Sequence, residues 1–345
     1  MNEITYEKSG VDINNADATK REMAKYVNSD NQRVLNKVGA FASLYDVKFP
    51  EMKNPVLVLK TEEPGSKQKF AFKYKKIKNI CYDMINHLTN DIIVMGATPL
   101  TVQDAIICSK IEKDVVSDLV KYISQACKEN GSVLTGGETS EQPDVVEKGV
   151  YVLTSSIVGI VEKDEIIDGS KIEKGDIVLA LPSNGIHTNG FSFLRMLMEQ
   201  FPGIENEIVE NGETFLEIIM RSHSPYYKVL APLFGNKALR GMAHITGGGI
   251  QDNLNRILPE NISAEIDLAK IKILPIFKFI KEKSQASDKE LLRTFNMGVG
   301  MTVVVKKGTE CEFLEHFKKL GTAAYVIGEI IDGNKTVVFK NNLQY

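Results

Sequence analysis

The chain has 345 residues, 43% of them hydrophobic and 25% charged, with a formal net charge of -3. These proportions exclude collagen-like, disordered and membrane-spanning classes, and the slight acidic excess lacks the basic footprint of a nucleic-acid binder. A chain beyond roughly 300 residues is expected to fold around two cores rather than one.

In chain order, the opening M-N-E-I-T-Y-E-K has no basic segment leading into an apolar one, so no signal peptide is expected and the protein is placed in the cytoplasm. Pro55–Leu59 (P-V-L-V-L) is short, β-branched and bounded by turn residues, which predicts a strand. A charged loop, Lys60 to Lys69, follows. The six lysines between Lys67 and Lys78 predict a solvated face or loop. Helical periodicity runs from Ile80 to Met95 and stops at Gly96. Leu100–Cys108 predicts a second strand, Asp114–Lys128 an amphipathic helix, Ser132–Leu134 a brief strand running into Gly136-Gly137, and Tyr151–Val161 a further strand. That alternation is the mark of a layered α/β or α+β domain.

The turn-rich segment Val161–Asp168 predicts a boundary, giving domains 1–165 and 166–345. Asp176–Leu181 then reads as a strand, Ser183–Gly190 as a polar loop and Phe191–Gln200 as a helix. Gly241–Thr246, Gly247–Gly249 and Ile250–Leu258 repeat the strand, loop and helix order. Gly298–Val305 and Val326–Ile331 predict strands around a helix at Glu310–Leu320. The four cysteines, Cys81, Cys108, Cys127 and Cys311, lie far apart, with no C-x-x-C pair and no neighbouring His cluster. They read as thiols of a reducing compartment.

The chain has no G-x-x-x-x-G-K-[ST], no strand-borne G-x-G-x-x-G and no G-x-S-x-G. It does have two glycine loops between a strand and a helix, Ser183–Gly190 and His244–Gly249, each carrying a His and a Thr. Backbone N–H groups at such junctions suit an anion. In the first half, Asp83 and Asn90 are seven residues apart, on one helix face, beside Asp91. Glu62 and Glu63 follow the first strand and Glu138 follows Gly136-Gly137. Hard oxygen ligands of this kind hold the Mg²⁺ that accompanies nucleotide phosphates. His87 and His316, inside helices, read as structural or surface residues.

Eight segments occur in fixed order: Y-E-K-S-G-V-D-I (6–13), T-E-E-P-G-S-K (61–67), N-D-I-I-V-M-G-A-T-P-L (90–100), G-G-E-T-S-E (136–141), E-I-I-D-G-S-K (165–171), S-N-G-I-H-T-N-G-F-S (183–192), H-I-T-G-G-G (244–249) and F-N-M-G-V-G-M (295–301). Together they resemble the phosphoribosylformylglycinamidine cyclo-ligase (aminoimidazole ribonucleotide synthetase) family over nearly the whole chain. The resemblance implies a two-domain α/β (α+β) fold. An N-terminal sheet domain would bind ATP and pair in a homodimer, and a C-terminal α/β domain would hold the phosphorylated substrate. It implies ATP and Mg²⁺ as cofactors and a small phosphoribosyl molecule as substrate, with neither nucleic acid nor membrane as partner. Asp91 would be the principal metal–ATP carboxylate, with Glu62, Asp83 and Asn90 beside it. Lys67 would pair with phosphate, and Gly136, Gly137 and Glu138 would touch the nucleotide. His187 would move a proton or steady an oxyanion. Asn189, Gly190, Thr246, Gly247, Gly248 and Gly249 would take the substrate's 5′-phosphate. The chain departs from the family on the nucleotide side. Lys60 and Glu63 stand where the family has glycine, and Glu62 stands where it has aspartate. The stretch Ile77–Asp83 lacks the family's leading His and Asp. The alternatives are a fold relative such as thiamine-monophosphate kinase, or a non-catalytic paralogue that binds a phosphorylated ligand.

Overall fold

A computed structural model describes residues 13–27, 31–36 and 39–345. The chain divides into two compact units, one running up to Ile92 and resuming at Ala97–Lys163, the other made of Ile93–Gly96 and Asp164–Tyr345. The opening segment 6–12 of the sequence comparison lies outside the described residues.

The first unit runs α1 (Ile13–Val27), β1 (Pro55–Glu62), α2 (Lys67–Lys73), α3 (Ile77–Ile93), β2 (Thr98–Cys108), α4 (Lys113–Glu129), β3 (Val133–Glu141) and β4 (Tyr151–Glu162). Its sheet has the order β1-β4-β2-β3, antiparallel except for the β2–β3 pair. Strand alternation turns Val56, Val58, Lys60 and Glu62 to the inner face and leaves Leu57 and Leu59 exposed. α3 is buried around most of its circumference, with Ile80, Met84, Ile85, Leu88 and Ile92 fully buried beside the buried polar Asp83, Thr89 and Asn90. α4 buries Val116, Leu119, Val120 and Ile123 along one face.

Several elements are longer than their sequence pattern. β1 continues through Lys60 to Glu62, because the inward phase set by Val56 and Val58 carries on into polar residues. The expected loop 60–69 is therefore the strand end, a short turn over 63–66 and the first turn of α2. β3 runs to Glu141, so Gly136 and Gly137 are strand residues opposite Gln103 and Asp104, with a register shift after Val102.

The second unit contains β5 (Ile177–Pro182), α5 (Phe191–Gln200), β6 (Ile208–Glu210), β7 (Glu213–Thr214), α6 (Phe215–Ile219), α7 (Tyr227–Leu230), β8 (Leu239–His244), α8 (Gly249–Leu254), β9 (Ile262–Asp267), α9 (Pro275–Ser284), α10 (Asp288–Thr294), β10 (Val299–Val305), α11 (Glu310–Lys319), β11 (Tyr325–Asp332) and β12 (Val337–Lys340). Its main sheet has the order β12-β9-β11-β5-β10-β8, with only β12–β9 parallel. Every residue of β10 is buried, as a strand covered on both faces requires. α8 stops at Leu254 and tightens into a 3₁₀ turn, Asn255–Ile257, where the periodicity predicts helix to Leu258.

Candidate active site

In the first unit, β1 and α3 bring four titratable groups together. Lys60 Nζ lies 2.9 Å from Glu62 Oε2 and 3.1 Å from Asp91 Oδ2. His87 Nε2 lies 3.6 Å from the same Asp91 oxygen and 3.9 Å from Glu62 Oε2. Lys60 and Glu62 share the inward phase of β1, while His87 and Asp91 are four residues apart on α3 and so neighbours on one helix face. Partial burial pulls Lys60 down, but Glu62 and Asp91 outweigh it and hold its ammonium above the usual lysine range. His87 is thus a member of the carboxylate cluster, not the structural or surface residue its helix position implied. His316 does play a structural part, its Nε2 lying 2.9 Å from the Val229 carbonyl.

Lys67 and Asp83 fall elsewhere. Both side chains are fully buried, and Lys67 Nζ meets Asp83 Oδ1 at 2.9 Å and Oδ2 at 2.8 Å. Burial pushes Lys67 down against the pull of the carboxylate. The two neutralise each other in the interior, so the structure does not show them as the open phosphate and metal groups expected, nor Lys67 as part of a solvated run. Asn90 is likewise fully buried, so it supports α3 from within and is not an open ligand.

Strand register then sets a row across the sheet: Glu62 opposite Ser155, Ser155 opposite Asp104, Asp104 opposite Gly137. A Cβ on Gly137 would overlap the Asp104 carboxylate, which is why glycine stands there. Desolvation raises Asp104 to about 7, against an ordinary value of 3.8. Asp104 borders a cavity of about 700 Å³ within this unit, whose wall includes Arg21, Ser43, Gly136, Gly137 and Glu138. The cavity therefore joins the three nucleotide-side residues read from the sequence to an aspartate that nothing in the local pattern singles out. Titratable groups shifted towards neutrality beside a cavity mark functional sites more often than chance.

In the second unit the two glycine loops adjoin. A Cβ on Gly247 would stand 3.3 Å from Asn189 Oδ1. Each loop is held by a buried asparagine absent from the sequence-level site. Asn296 Nδ2 donates to the Gly185 carbonyl at 2.9 Å, and its Oδ1 accepts from Ser183 Oγ at 2.9 Å and from Gly298 N–H at 2.8 Å. Asn253 Nδ2 donates to the Gly247 and Gly249 carbonyls at 3.1 and 2.8 Å, and Thr246 Oγ1 donates to Asn253 Oδ1 at 3.2 Å. The signal for Asn253 was its position seven residues after Thr246. At Gly249 (φ 64°) a Cβ would run into the Leu292 carbonyl, so packing alone demands glycine there.

His187 adopts a left-handed backbone, φ 61°, and is buried. Its ring stacks on His223 at 3.9 Å between centroids, and its Nε2 accepts from the Ser224 backbone N–H at 3.4 Å. His223 Nε2 in turn lies 2.8 Å from His244 Nε2. The histidine expected to move a proton thus sits at the end of a packed histidine series. Of the thiols, Cys81, Cys108 and Cys127 are buried, Cys311 is exposed and all four are free. Burial raises Cys108 to about 11, too high for a nucleophile.

Fold and geometry together define a two-unit α/β protein with a carboxylate cluster in the first unit and a pair of glycine loops in the second. Residues 42–161 match the AIR synthase related protein, N-terminal domain, and residues 173–341 the AIR synthase related protein, C-terminal domain. The chain is 38% identical over 338 residues to the phosphoribosylformylglycinamidine cyclo-ligase of Alkaliphilus oremlandii, covering 97% of this chain and 99% of that one. It belongs to the phosphoribosylformylglycinamidine cyclo-ligase family, a family of ligases. Among solved structures it is similar in fold to thiamine-monophosphate kinase from Stenotrophomonas maltophilia, with TM-score 0.65, 14% identity, and coverage of 95% and 96% of the two chains. It is also similar to hydrogenase maturation protein HypE in complex with ATP, with TM-score 0.63, 15% identity, and coverage of 92% and 88%.

Proposed function

We propose that this protein closes the imidazole ring of 5-aminoimidazole ribonucleotide from formylglycinamidine ribonucleotide, in purine biosynthesis in the cytoplasm, with ATP as the phosphoryl donor. The observation that carries the reading is the pairing of Glu62 and Asp91 around one cationic point, within a chain that matches both cyclo-ligase domains along its length. An ATP complex of a protein of the same fold supports nucleotide use.

A formamide oxygen is a poor leaving group. Transfer of the γ-phosphoryl group to that oxygen releases ADP and makes it a good one. The amidine nitrogen then attacks the formyl carbon, the C–O bond breaks, inorganic phosphate departs and the nitrogen gives up a proton. Such transfers rest on positioning and charge neutralisation more than on a protein nucleophile. Glu62 and Asp91 suit a divalent cation by donor chemistry, and both already meet one ammonium, whereas Asp83 does not, being spent on Lys67. Bound there, Mg²⁺ would neutralise phosphate charge. Gly136, Gly137 and Glu138 would line the nucleotide cavity with Asp104. Asn189, Gly190, Thr246 and Gly247 would face the ribose 5′-phosphate, while Gly248 and Gly249 shape the turn behind them. His187 would hold the Ser183–Gly190 loop in position. Leu57 and Leu59, apolar and exposed on the edge strand β1, support a homodimer formed through this sheet.

The test is turnover with formylglycinamidine ribonucleotide and Mg–ATP. The expected result is one ADP per aminoimidazole ribonucleotide formed. ADP without aminoimidazole would contradict the reading in favour of a kinase, and neither product from folded protein would favour a ligand-binding paralogue.

A further inference from the structure

The carboxylates of Glu62 and Asp91 already share a cation, and it belongs to the chain. Lys60 Nζ stands 2.9 Å from Glu62 Oε2 and 3.1 Å from Asp91 Oδ2 and so bridges the two. The strand fixes this: Lys60 and Glu62 are two residues apart on the inner phase of β1, so both side chains reach the α3 face that carries Asp91. The Lys60 side chain is 36% exposed, and its four-carbon stem lets the ammonium swing to solvent without moving the strand. His87 adds a second nitrogen 3.6 Å from Asp91, a weaker claim on the same oxygen.

We propose that Lys60 is a tethered cation of the nucleotide site, holding Glu62 and Asp91 at a common point until a divalent ion takes its place. The inference rests on the reading that these two carboxylates are the metal ligands. An ammonium and a divalent ion cannot occupy the same few ångströms, and their charges repel, so each lowers the affinity for the other. Displacement leaves the ammonium beside the incoming polyphosphate, where it gains a new anionic partner. Divalent ion and nucleotide therefore bind cooperatively in this chain, and Lys60 is the residue that couples them.

The experiment is binding of Mn²⁺ to the full chain without nucleotide, read as loss of the free-ion paramagnetic resonance signal. It compares the native protein with Lys60→Gln, Lys60→Arg and Asp91→Asn. Lys60→Gln is expected to bind Mn²⁺ about tenfold more tightly than the native chain, the scale of two part-exposed ion pairs removed together. Lys60→Arg, which keeps the charge, is expected to bind as weakly as the native chain. Equal affinity in the native and Lys60→Gln proteins, with both weakened by Asp91→Asn, would overturn the tethered-cation role and leave the carboxylate site standing. If Asp91→Asn changed binding in no background, the metal-ligand reading would fall as well.

Discussion

A desolvated aspartate keeps its proton far longer than one in water, and Asp104 does so up to about pH 7. Its unfolded counterpart releases the proton near 3.8. Between those values the folded protein holds a proton that the unfolded chain has lost, so stability falls as pH rises through this window. Asp104→Asn removes the titrating group, and the fall in melting temperature between pH 4 and pH 7 is expected to become shallower. An unchanged slope would place the titration elsewhere. Nothing in T-V-Q-D-A-I-I-C singles this residue out. Its role comes from register with Gly137, a non-local relation that a one-dimensional pattern cannot carry. Asp91 and Glu62, by contrast, were legible as carboxylates in specific segments. His87 had a readable signal too, its four-residue spacing from Asp91.

At the scale of elements, Lys67 clamps α2 onto α3. The clamp is one buried ion pair, Lys67 with Asp83, and breaking such a pair from one side strands a charge without its partner. Lys67→Met or Asp83→Leu alone is expected to cost about 3–5 kcal/mol in denaturant unfolding. The double variant, which replaces both charges by apolar groups, is expected to recover most of that loss. Additive losses would show that the two do not act as a pair. This is where sequence reading went astray, since a lysine after P-G-S, leading five more lysines, carries every local mark of exposure. Strands and helices with clean periodicity, such as Phe191–Gln200 and Tyr151–Glu162, were read to within a residue. Of the elements with no sequence-based expectation, β9 and β12 owe their state to the sheet they pair in, whereas α9 and α10 carry local start signals, Pro275 in the first turn and Ser287 as an N-cap accepting from the Glu290 N–H.

At the scale of the molecule, the compact units divide at Lys163–Asp164, in the exposed, charged stretch 162–168. The excursion of Ile93–Gly96 into the second unit was not legible: the helix pattern runs through it, and the Ile167 N–H to Met95 carbonyl bond that ties it there links residues far apart in sequence. In the first unit a carboxylate pair, Glu62 and Asp91, closes around the chain's own Lys60. In the second, each glycine loop has a buried asparagine as an internal strut. Ring closure by activation of the formyl oxygen makes a demand that no kinase or binding protein shares: that oxygen must leave on phosphate. The most direct measurement is therefore turnover of substrate labelled with ¹⁸O at the formyl position, followed by mass spectrometry of the phosphate released. The account predicts one ¹⁸O per phosphate; unlabelled phosphate accompanying ring closure would contradict it.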